Sequence, residues 1–210
     1  MEVMSKKLLL VIIAAAFSGL LHAQTQPCAF EDLFTIRPGM SKPAVVDTIN
    51  NNYNVTLVKT ESEKRPPYKS SGGDSIFLET LTYKASGIDK GCFHGSNSVF
   101  RMDFADNKLY KAYIGTEYSQ AQYADLMSNF TSLRKSIKKS WKYESEVKVS
   151  GSNVEGFGYS YTKTEKKTSK PETCTLQYVK MKGNSPSADK YVLEVVWANL
   201  QNTRMEGSAY

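Results

Sequence analysis

The sequence predicts an α+β protein of two similar helix-plus-four-strand antiparallel units that follow a cleaved signal peptide. Three observations predict it. The first residues carry export grammar, apolar residues between Tyr123 and Trp141 recur at three- and four-residue steps, and strand-like alternation comes in two runs of four. The expected boundaries are residues 1–23 for the signal peptide, 24–115 for the first unit and 116–210 for the second.

Lys6 and Lys7 precede an apolar run from Leu8 to Ala16, and Leu21, His22 and Ala23 offer a small-residue cleavage point. A membrane-spanning helix needs roughly 20 unbroken apolar residues, and this run ends well before Gln24. Cleavage after Ala23 places Cys28 inside the mature chain rather than at its first position, where a bacterial lipoprotein carries its lipid. The expected location is periplasmic or secreted, with no transmembrane segment in the mature chain. In an oxidising compartment the three cysteines, Cys28, Cys92 and Cys174, support one bridge and leave one thiol over. Cys174, Leu176 and Tyr178 alternate with Thr175, Gln177 and Val179, which puts Cys174 on a buried strand face and leaves Cys28 and Cys92 as the expected disulfide, a tie between the N-terminal arm and the first unit.

The first unit opens with Ser41 as the expected cap of a short helix through Val45, Val46 and Ile49, with Pro43 in its first turn. Four strands follow in "NVTLVKT", "SIFLETLTYK", "SVFRMDF" and "KLYKAYIG", and Asp106 and Asn107 form a tight hairpin turn between the last two. The polar stretches "ESEKRPPYKSSGGD" and "ASGIDKGCFHGSN" read as long loops.

In the second unit Tyr123, Leu126, Phe130, Leu133, Ile137 and Trp141 form one helical stripe, introduced by a capping box of Ser119 and Gln122. Arg134, Lys135, Lys138 and Lys139 crowd its last turns, where cations oppose the negative end of the helix dipole. "WKYESEVKV", "GFGYSYTKT", "TCTLQYVKM" and "YVLEVVWANL" supply four more strands. Phe157, Tyr159 and Tyr161 form an aromatic ladder that suits either stacking on sugars or packing beneath the helix, and the polar opposite face favours packing.

At "IRPGMSKPAVVDTI", Ile36, Gly39, Met40, Ser41 and Val45 resemble the opening of the SmpA/OmlA-like outer-membrane assembly lipoproteins. Two such units in tandem resemble the β-lactamase-inhibitor-protein-like fold. The phrase covers about fifteen residues. The lipoprotein cysteine is missing, and "NNNYN" stands where the family carries Gly-x-Pro after the helix. The resemblance implies a fold and a binding role; it places no catalytic or interface residue.

Composition narrows the chemistry. Without Glu2, Lys6 and Lys7 the net charge falls from +6 to +5, short of the dense basic stripe of a nucleic-acid binder but compatible with anionic glycans, lipid head groups or acidic proteins. Of two histidines only His94 remains after cleavage, so histidine-rich zinc sites and two-histidine metalloprotease helices are excluded, and no metal or other cofactor is expected. Cys92 and His94 in "GCFHG" form the one nucleophile-and-base pair to weigh, on a glycine-flanked loop and in competition with the disulfide.

If the helices cover one side of the strands, the other side stays open. Inward Phe100, Met102 and Phe104 leave Val99, Arg101 and Asp103 outward; inward Tyr110, Ala112 and Ile114 leave Leu109, Lys111 and Tyr113 outward; inward Leu193, Val195 and Trp197 leave Val192, Glu194 and Val196 outward. Arg101, Asp103, Lys111, Tyr113 and Glu194 are the candidate binding residues. The expected function is that of a non-enzymatic exported binding protein which recognises another envelope or secreted protein through this face. The alternatives are a binder of anionic glycan or lipid that uses the helix cations and "TKTEKKTSK", and a cysteine-dependent enzyme at Cys92.

Overall fold

Eight antiparallel strands form one continuous sheet in the order β1-β2-β3-β4-β8-β7-β6-β5. The computed structural model describes residues 35–65, 75–85, 97–163, 172–185 and 188–199. In chain order the elements are α1 (Lys42–Asn52), β1 (Thr56–Arg65), β2 (Ile76–Ala85), β3 (Asn97–Ala105) and β4 (Lys108–Ser119). A short 3-10 turn (Gln120–Gln122) leads into α2 (Tyr123–Ser140), β5 (Lys142–Ser150), β6 (Val154–Lys163), β7 (Glu172–Met181) and β8 (Lys190–Asn199). The expected signal segment, both cysteines of the expected disulfide (Cys28 and Cys92) and His94 lie outside the described residues. No described helix is long and apolar enough to cross a membrane.

This architecture corrects the expected fold class. The protein is largely β, a single sheet with two helices, rather than two helix-plus-four-strand units. The reason lies in the strand edges. A four-strand meander ending at β4 would leave that strand's outer N–H and C=O groups unpaired, and so would one ending at β8. The two strands satisfy each other instead, from Lys111↔Ala198 to Ser119↔Lys190. Thr116, where the sequence places the junction, lies within β4 fully buried, its hydroxyl 2.8 Å from that of Ser98.

Apolar rows run unbroken across the seam. Phe100 faces Ile114, Ile114 faces Val195, and Val195 faces Leu176, all fully buried. Burial at this scale contributes about 1.5–3 kcal/mol for each large side chain removed from water. Both helices lie over this side. α1 buries Val45 and Ile49, and the Lys42 ammonium at its start grips both Glu79 oxygens on β2 at 2.6 and 2.7 Å. Ser41 stands at the N-cap position but makes no side-chain cap bond; its neighbour Lys42 donates its N–H to Asn107, so the β3–β4 hairpin does part of the capping. α2 buries Leu126, Phe130, Leu133 and Ile137, and its capping box forms as read, with Gln122 accepting from the Ser119 N–H at 2.9 Å. Trp141 meets Trp197 edge-on at 5.9 Å. Tyr159 and Tyr161 pack beneath α2, and the fully buried Cys174 is a free thiol pushed up by its burial.

Candidate functional site

The face opposite the helices carries no described helix. Sheet alternation and register decide which side chains occupy it: Thr82, Arg101, Tyr113, Val196 and Thr175 form one transverse row, and Thr80, Asp103 and Lys111 another. Arg101, Asp103, Lys111, Tyr113 and Glu194 therefore share one surface. Two hydrogen-bonded clusters organise it.

Asp103 is the anchor of the first. It is 1% exposed, and its Oδ1 accepts from the Thr80 hydroxyl at 2.7 Å and from Arg101 Nε at 3.1 Å. Its Oδ2 is buried without a hydrogen-bond partner among the described residues. Arg101, 51% exposed, is thus held at its root while presenting its guanidinium outward. The bonds from Thr80 and Arg101 satisfy one oxygen of a carboxyl group that the sheet removes from water, and they fix its position.

Glu194 anchors the second. Its two oxygens accept from the Tyr113 hydroxyl at 2.9 Å and from Gln177 Nε2 at 2.6 Å. Glu194 stands opposite Gly115 in the register, and Tyr113 lies down over Gly115, where any Cβ would collide with its hydroxyl and ring. Burial, then the Glu194 charge and hydrogen bond, push the Tyr113 phenol well above its ordinary value, so it stays a donor throughout the physiological range.

A shallow hollow of about 250 Å³ lies between the clusters, lined by Thr82, Val99, Arg101, Lys111, Tyr113 and Val196. A broader one of about 510 Å³ continues toward β1, past Arg101 and Lys111 to Glu61, Glu63 and Arg65. Asp103 and Glu194 do not form a close carboxylate pair. Asp103 faces Lys111 whereas Glu194 faces Gly115, four residues further along β4, or about 13 Å at the usual strand rise. That exceeds the roughly 5–10 Å between the carboxyls of glycoside hydrolases.

One inward-outward assignment is reversed. Asp103 pairs with Lys111 and Phe104 with Leu109, so Tyr110 is the extra residue of a β-bulge. Leu109 follows Phe104 into the core, and Tyr110 borders the larger open-face hollow. Thr80 and Gln177, which hold the two anchoring carboxylates, escaped the sequence reading because only register reveals a cross-strand partner. Among the helix cations, Arg134 is occupied, its guanidinium 3.6 Å from the centre of the Tyr159 ring, while Lys135, Lys138 and Lys139 are exposed. Among the described residues no group of three or more His, Cys, Asp or Glu side chains is placed to hold a metal ion. No protein family, curated protein or solved structure matches this chain.

Proposed function

We propose that this chain is an exported, non-enzymatic binding protein that recognises another envelope or secreted protein through the uncovered face of its sheet. The observation that carries the reading is the pair Arg101 and Tyr113, directly opposite each other in the register, Arg101 bonded to the buried Asp103 and Tyr113 to the partly buried Glu194. Tyrosine and arginine dominate binding energy at protein interfaces, and they do so best when their geometry is set before the partner arrives. Val99 and Val196 supply apolar contact around them, and the charges of Lys111, Glu61, Glu63 and Arg65 give a mixed-sign rim.

The anionic-ligand alternative rests on Lys135, Lys138 and Lys139, which are exposed on α2, and loses Arg134, which is committed to the Tyr159 ring.

The test is affinity capture from the envelope and culture medium of the source organism. Wild type, Arg101→Glu with Tyr113→Ala, and Lys138→Glu with Lys139→Glu serve as baits. One discrete protein retained by wild type and by the helix variant, and lost with the sheet-face variant, is the expected result. Equal capture by all three baits would refute the reading.

A further inference from the structure

The aromatic ladder runs out from under its helix. Tyr159 and Tyr161 are buried beneath α2, whereas Phe157 and Tyr178, packed against the same core, are only partly covered. They border a hollow of about 330 Å³ with Tyr123, Tyr191, Glu155 and Lys180. That volume is at the lower end of small-molecule sites, which span about 300–1,000 Å³.

We propose that this hollow binds a neutral carbohydrate. Its rings are fixed from behind: Phe130 of α2 meets Tyr178 edge-on at 5.4 Å, Tyr159 meets Phe157 edge-on at 5.1 Å, and Tyr123 lies 4.9 Å from Tyr191. Aromatic faces are apolar and electron-rich, and they suit the weakly positive C–H face of a sugar ring. Hydroxyl groups around the edge of such a ring need both acceptors and donors. Glu155 supplies the first and Lys180 the second, and Tyr178 lies close enough to Tyr123 and Glu155 that both add to the upward push of burial on its phenol.

Charge selects against ionic ligands. Lys180 sits 3.0 Å from Asp189, 3.7 Å from Glu155 and 5.9 Å from the centre of the Tyr191 ring. Its ammonium lies at the margin of the Tyr191 ring, so a quaternary ammonium guest there meets a like charge. An anion meets the Glu155 carboxylate, with which the neighbouring Lys180 and Lys182 are already paired. A neutral, hydroxyl-rich ring meets neither penalty.

The mature protein, labelled with ¹⁵N, is titrated with glucose, galactose, mannose and N-acetylglucosamine and the β1,4-linked dimers of glucose and N-acetylglucosamine. At least one of them shifts the Tyr123, Phe157 and Tyr178 resonances saturably. Phe157→Ala weakens that binding about tenfold, as expected for one lost stacking partner. Glu155→Gln, at a side chain 55% exposed and outside the core, weakens it while the remaining spectrum stays native. The affinity is unchanged by salt and by Arg101→Glu with Tyr113→Ala, which separates this site from the sheet-face reading. No shift with any of these sugars overturns the proposal. So does binding that survives both hollow variants, or tighter binding of tetramethylammonium or glucuronate than of every neutral sugar.

Discussion

Replacing Ile114 with alanine tests whether the eight strands behave as one cooperative body. Ile114 is fully buried in β4, between Phe100 on β3 and Val195 on β8, so it belongs equally to the strands on either side of the seam. Truncating a buried isoleucine to alanine costs about 2–5 kcal/mol, the upper end applying where neighbours cannot collapse into the gap. Here the neighbours are pinned in sheet register, so a loss of about 3–4 kcal/mol is expected, which for a chain of this size lowers the melting temperature by roughly 6–16 °C. The protein carries two tryptophans, Trp141 at the end of α2 and Trp197 on β8, and their fluorescence reports that side of the seam. Hydrogen exchange at the Leu81, Phe100 and Met102 amides reports the other. Ile114→Ala should lower the urea midpoint and the exchange protection by the same free energy, with one shared transition. Separate transitions, or a fluorescence shift that leaves protection in β2 and β3 untouched, would refute the reasoning.

Thr116→Val should destabilise by about 1–3 kcal/mol, because it strands the buried Ser98 hydroxyl, and adding Ser98→Ala should recover most of the loss in thermal melts. Asp189 is held below its ordinary value, first by the Gly183 N–H and then by Lys180. Its stabilisation is therefore present above the unfolded value of about 3.9 and disappears as pH falls through the lower folded value. The deficit of Asp189→Asn in urea midpoint, clear at neutral pH, should shrink as the pH is lowered below about 4. Burial pushes Tyr53, Tyr83, Tyr113, Tyr118, Tyr161 and Tyr178 above the ordinary phenol value. The unfolded chain then ionises first, so stability should fall as pH rises past about 10, and absorbance at about 295 nm should show these tyrosines titrating only as the fold opens.

Local pattern carried the strands and helices into view and stopped there. Alternation placed Phe100, Met102, Ile114 and Leu176 on the buried side, and the helical stripe with its Ser119–Gln122 capping box located α2. A period of two says which face a side chain takes but not which strand lies beside it, so the β4–β8 pairing that makes one sheet from eight strands left no local mark. The bulge at Tyr110 is equally silent, since one extra residue in "KLYKAYIG" changes no composition yet exchanges the faces of Leu109 and Tyr110. At the candidate site the charged and aromatic members could be named from parity. Their fixation could not, because Thr80 lies 23 residues before Asp103 and Gln177 lies 17 before Glu194. The aromatic hollow was hidden for a different reason: alternation puts Phe157 on the helix side of the sheet but does not say how much of that side α2 covers.

The most direct test of the proposed recognition face is site-specific photocrosslinking in the source organism. A benzophenone side chain is placed at Thr82, Thr175 or Val196 on the uncovered face, and at Lys135 or Lys139 on α2. The account predicts one covalent adduct of a single size from the sheet positions and none from the helix. Adducts from the helix alone, or none from the sheet, would contradict it.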